Sequence, residues 1–202
     1  MAASAAIFIL TNENIMALMD LAPPAVEPID LDYTKTFLRI DGDDENALLE
    51  TLIKTARHQI ENMIGRALIN RRFKYRGVLP GQSRIILPRP PLVSVDALRV
   101  FDEDGVSADI STAFYTYNAR VEPGELALVS GFSWSEFLSG ACQIEIEFTA
   151  GYGPDPVDIP LPIRQAILLL VTRHFEHRDR EQSPSVPTMV EALLAPYKWV
   201  RL

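Results

Sequence analysis

The apolar residues of this chain change period twice, and that switch constrains the fold more than any other feature. Leu48, Leu49, Leu52, Ile53, Ala56, Ile60, Met63 and Ile64 recur at helical spacing. From Phe73 the period falls to two, Phe73 and Tyr75 alternating with Arg72, Lys74 and Arg76. After Pro160 and Pro162 the helical period returns, with apolar groups around most of the circumference of Ile163–Arg178. This order predicts an α+β fold. Long helices at about 44–64 and 162–178 form a helical core, each burying its broad apolar face against the other, with Leu52 and Leu169 expected in that core. An antiparallel β module at about 72–149 is inserted between them.

Local signals place the elements. Asp43 or Asp44 is expected to accept from the first free amides of the 44–64 helix, with Glu45 adding favourable charge. Gly65 suits the left-handed position that closes it. A shorter helix at about Asp32–Leu38 completes a helical hairpin. Strands are expected near 72–76, 84–87, 93–101, after the Asp104-Gly105 turn, and at 114–117, 125–129 and 142–148. In the last, Cys142, Ile144, Ile146 and Phe148 face one way and Gln143, Glu145 and Glu147 the other. Pro162 fits the first turn of the second long helix, and Thr188–Leu194 reads as a short one.

Outside these lie two arms. Pro23, Pro24 and Pro28 disfavour helix, so residues 1–30 read as an extended N-terminal arm whose first fifteen are dispensable for folding, Met16 offering a second start. Residues 31–195 read as one domain carrying the β insertion. Pro196 stops the last helix, so 196–202 is expected to project as a C-terminal tail.

Composition narrows the function. With 19 Lys+Arg against 27 Asp+Glu the net charge is −8, which repels phosphate and argues against wrapping a duplex through bulk charge. The single cysteine, Cys142, can form neither an internal bridge nor a Cys-rich zinc site, and fits a small buried strand residue of an intracellular protein. The apolar run Ile167–Val171, with Ile163 and Ala166 before it, is too short for the roughly 30 Å hydrocarbon layer. The opening MAASAAIFIL lacks the basic region of a secretory signal.

The chemistry-bearing residues are few. No GxxxxGK[ST] or GxGxxG cradles a phosphate, and Gly131-Phe-Ser133-Trp-Ser135 departs from GxSxG. His174 and His177 with Glu176 and Asp179 carry ligand-like types, and a small metal-dependent hydrolase using His174, His177 and Asp44 is the enzyme alternative. The plainer account is that they decorate a helix C-terminus, where imidazoles complement the dipole. Asp41, Asp43, Asp44 and Glu45 fail the EF-hand spacing, and Asp102, Glu103 and Asp104 read as turn residues. Arg66, Arg71, Arg72, Lys74 and Arg76 oppose the chain's sign. They form either a solvated strand face or a basic docking face for an acidic protein or a nucleic-acid backbone.

Several stretches together resemble phage head–tail connector proteins: LRIDGDDENALLETLIKTA at 38–56, IGRALI at 64–69, LPRPPLVSVDALRVFDEDG at 87–105, FTAGYG at 148–153, IPLPIRQAILLLVTRHFEHR at 159–178 and VEALLAPYKWVR at 190–201. These are the adaptor, or head-completion, proteins of long-tailed phages, prophages and gene transfer agents. The resemblance runs from about Ile29 to Arg201, and the middle strands around 107–139 match least. It implies a structural virion protein without catalytic residues, cofactor or membrane contact, assembled in the bacterial cytoplasm and residing at the head–tail junction. It further implies a ring, usually of twelve copies, between the portal protein and the tail stopper, with double-stranded DNA passing through without sequence-specific binding. On that view Pro196, Tyr197, Lys198, Trp199 and Arg201 form a portal-docking tail, mobile until it meets the portal; the alternative is that Tyr197 and Trp199 fold back onto the protein's own core.

Overall fold

A computed structural model describes residues 7–11, 14–81, 84–177 and 186–199. The chain divides into two compact units. One joins Ala25–Ile69 to Tyr152–Leu202; the other joins the described residues up to Pro24 to Asn70–Gly151. No helix among the described residues is long and apolar enough to cross a membrane.

The first unit is helical, built from α1 (Leu31–Leu38), α2 (Asn46–Ile64), α3 (Leu161–Glu176) and α4 (Thr188–Leu194). Its core is one apolar cluster in which Ile53, Ala56, Ile60 and Ile64 of α2 meet Ile163, Ala166, Ile167, Leu170 and Val171 of α3, with Val190 and Leu194 of α4. The two long helices therefore pack as their broad apolar faces require, each buried Leu or Ile contributing about 1.5–3 kcal/mol. Leu52 and Leu169, expected inside, are half-buried at the edge of this cluster.

The ends of the helices are set by local chemistry. The Asp30 carboxylate accepts from the amide of Tyr33 at 2.6 Å and starts α1. The expected cap of α2 is corrected: Glu45 holds the cap position without a side-chain bond, and the Asp43 carboxylate instead accepts from the Lys35 ammonium at 2.8 Å and from the Asn46 side-chain Nδ2 at 3.1 Å. The hydrogen bond from Lys35, then that from Asn46, holds the Asp43 carboxyl below its usual value. Gly65 ends α2 at φ +72°, as its lack of a side chain allows.

The second unit is antiparallel β throughout. Its strands are β1 (Ile7–Thr11), β2 (Asn14–Asp20), β3 (Arg71–Val78), β4 (Arg84–Ile86), β5 (Leu92–Phe101), β6 (Ser107–Asp109), β7 (Tyr115–Asn118), β8 (Glu125–Leu128) and β9 (Gln143–Ala150). They form a six-stranded sheet in the order β1-β2-β3-β9-β5-β6 and a three-stranded sheet β4-β8-β7. Phe73, Ile144, Ile146, Phe148, Leu98 and Val100 are buried on one face of the larger sheet, with the Phe73 and Phe148 rings stacked at 5.5 Å. A Cβ at Gly124 would stand 2.4 Å from that of Leu92, so glycine is required where the smaller sheet meets the larger.

The N-terminal arm needs correction over Asn14–Asp20. Those residues are a strand paired with β3, Leu18 lying opposite Tyr75 and almost fully buried, and β1 pairs in turn with β2. The prolines exclude helix, as expected, but only after this strand has ended; the amide of Leu21 still donates to Arg72.

Candidate functional site

Three groups of residues carry the functional expectations. The first is the C-terminal segment. Pro196 lies in a single 3-10 turn, Ala195–Tyr197, that follows α4. From there the chain folds back. The Trp199 amide donates to the Ile64 carbonyl at 2.9 Å, and Arg66 Nε donates to the Tyr197 carbonyl at 2.6 Å. The indole covers Gly65, its Cε3 lying 3.5 Å from where a Cβ would stand there. The projecting tail is thus corrected over its described residues. A helix leaves its last carbonyls without intrahelical partners, and the Trp199 amide satisfies one of them. Tyr197 and Trp199 are half-buried, whereas Pro196 and Lys198 stay exposed; Arg201 lies outside the described residues.

The second group is the basic strand. Arg71 shares the buried face of β3 with Phe73, its guanidinium 4.8 Å above that ring and 3.3 Å from Asp20. Arg72, Lys74 and Arg76 occupy the opposite face, where antiparallel register sets the acidic residues of β9 beside them. Arg72 pairs with Glu147 at 2.8 Å, and Lys74 reaches Glu145 at 3.1 Å and Glu147 at 3.2 Å. Glu145 first, then Glu147, raises the Lys74 pKa. Arg76 lies over Phe101 at 4.8 Å, and Arg99 on β5 binds Asp109. With Arg71, Arg72 and Lys74 paired to carboxylates and Arg76 lying over a ring, the strand pair carries a cross-strand ladder of alternating charge.

The third group is the histidines. His174 Nε2 lies 3.2 Å from Gln59 Oε1, and burial, helped by neighbouring Arg173, lowers its pKa. His177 follows α3 and its amide donates to Arg173. Among the described residues no three His, Cys, Asp or Glu side chains converge to hold an ion, so Asp44 is not brought to them; Asp179 lies outside the described residues.

Sequence reasoning missed a buried charge cluster in the helical unit. Arg57, 3% exposed, donates to Glu27 at 2.7 Å and to Glu61 at 3.2 Å. Glu61 also accepts the Leu68 amide at 3.0 Å, tying the chain beyond α2 back onto that helix. The i,i+4 spacing of Arg57 and Glu61 was the available signal; nothing local announced Glu27.

The sequence model of the head completion protein family matches residues 27–198. The chain belongs to the head completion protein family. The matched span opens at Glu27, the partner of Arg57, and closes at Lys198 beside the docked Trp199, so it includes most of both compact units. Similar solved structures come from gene transfer agent particles. A chain in the neck of an empty particle, computed with C6 symmetry, is 23% identical with a TM-score of 0.73, over 92% of this chain and 96% of that one. A chain of the native virion is 24% identical with the same TM-score and coverage. A chain in the neck of the native particle, computed with C12 symmetry, is 25% identical with a TM-score of 0.64, over 88% of this chain and 96% of that one. Comparison with curated proteins returns no match.

Proposed function

We propose that the chain is a structural head–tail connector, an adaptor forming a twelve-membered ring between the portal and the tail stopper of a phage or phage-like particle, with DNA passing through its centre. The observation that carries this reading is membership of the head completion family across residues 27–198, which takes in the cores of both units. The likeness to chains in the necks of particles with sixfold and twelvefold symmetry supports the ring. The charge pattern agrees. A net charge of −8, with Arg72 and Lys74 already matched by Glu147 and Glu145, gives a passing duplex little to adhere to.

Portal contact falls to the C-terminal turn. Tyr197 and Trp199 brace it from within, and the exposed Pro196 and Lys198 present a locally basic surface to an acidic groove; in the sequence Arg201 adds a further positive charge. The test is disruption of the gene in a particle-producing host. DNA-filled heads without attached tails are expected, restored by the wild-type chain. Normally tailed particles would contradict the reading. Lys198→Glu with Pro196→Ser should leave the melting temperature unchanged and reduce attachment to the portal.

A further inference from the structure

The helical unit carries a groove of about 590 Å³, lined by Asp30 and Tyr33 at the start of α1 and by Pro156, Leu161, Arg164 and Leu168. Its rim is more apolar than an isolated surface favours: Tyr33 is 56% exposed, Leu161 69% and neighbouring Val157 76%. Phe37, one turn after Tyr33 and 42% exposed, continues the stripe along α1, a helix whose one buried residue is Thr34. Within the groove, Arg164 Nε is buried and has no hydrogen-bond partner among the described residues. A buried donor left open by the described residues is suited to an acceptor brought by a neighbouring molecule.

We infer that this groove seats a second copy of the same chain, which covers Tyr33 and Leu161 and brings a carboxylate or carbonyl oxygen to Arg164. The inference rests on the adaptor reading. Chains of this fold occur in necks of sixfold and twelvefold symmetry. Closing a ring by rotation requires each copy to present one receiving patch and a different entering patch to its neighbours. The groove has the character of a receiving patch: concave, apolar at its rim, with one buried guanidinium nitrogen left open by the described residues. Its charge suits the same chain as occupant, because 27 Asp+Glu against 19 Lys+Arg make carboxylates the commonest charge a neighbour offers. Phosphate fits less well, since the Asp30 carboxylate lines the same groove.

The experiment places a photo-crosslinking amino acid at Tyr33, and separately at Leu161, in full-length chains incorporated into particles. Irradiation should yield a product of twice the chain's mass, whose cross-linked peptides both derive from this sequence. Arg164→Glu should lower that product at least about tenfold, because it replaces attraction by like-charge repulsion. A melting curve of the free variant checks its fold, with Arg164→Gln used if the reversal unfolds it. Incorporated chains that cross-link to a different virion protein, or give no self-product, overturn the inference and leave the adaptor reading standing. A chain absent from particles overturns the adaptor reading and this inference with it.

Discussion

Two arginine–glutamate systems on this chain have the same chemistry and opposite settings. In the helical unit Arg57 and Glu61 are enclosed, each with no more than 3% of its surface in contact with solvent; they meet each other, and Arg57 also reaches Glu27 while Glu61 accepts the Leu68 amide. In the β unit Arg72, its side chain 56% exposed, faces Glu147 across a strand pair open to water. The comparison teaches that pairing alone does not set energetic weight. In water an ion pair contributes little, because solvent competes for both charges. Enclosed, either partner alone costs several kcal/mol to keep, so the cluster acts as a structural latch even where an apolar substitute would be as stable.

The variants that sharpen this contrast descend in size. Largest is a charge without any partner: Ile60→Asp or Ile167→Asp, both at fully buried positions, should abolish cooperative melting of the helical unit. Retained cooperative unfolding by circular dichroism would place the core elsewhere. Next, Arg57→Ala leaves Glu61 enclosed and should cost about 3–5 kcal/mol in denaturant unfolding. A loss below about 1 kcal/mol, the value for an open pair, would erase the distinction drawn here. Trp199→Ala should cost about 2 kcal/mol, below the value for a fully buried tryptophan, because the indole is half-buried over Gly65. No loss would mean that the segment is not held on α2.

Arg72→Ala in the open ladder should cost less than about 1 kcal/mol, and less still at high salt. The smallest effect concerns pH. His174 has a lowered folded pKa, so the unfolded chain binds the proton more readily. Its contribution is therefore present above its ordinary value of 6.5 and lost as pH falls below it. His174→Gln should flatten the stability profile in that window, read by thermal melts across pH 5–7.5.

Much of the architecture was legible because periodicity is local. The helical spacing from Leu48 to Ile64, the glycine that ends it and the alternation through Cys142–Phe148 each reflect neighbours a few residues apart. What escaped was non-local. Trp199 finds the open carbonyl of Ile64, and Arg57 finds Glu27, across gaps no pattern spans. The basic strand is intermediate. Its cations and the carboxylates of Glu145 and Glu147 were both visible as alternating faces, and only the β3–β9 register shows that they neutralise one another. Asp43 was misread for a related reason: an aspartate before a helix is a natural cap, but Lys35 stood close enough to claim it.

The connector role is tested most directly by imaging intact particles in which this chain carries a compact label. The account predicts label density confined to the head–tail junction, in a ring of twelve copies surrounding the DNA path. Density distributed over the capsid, at the distal tail, or at the junction without rotational repetition would contradict it.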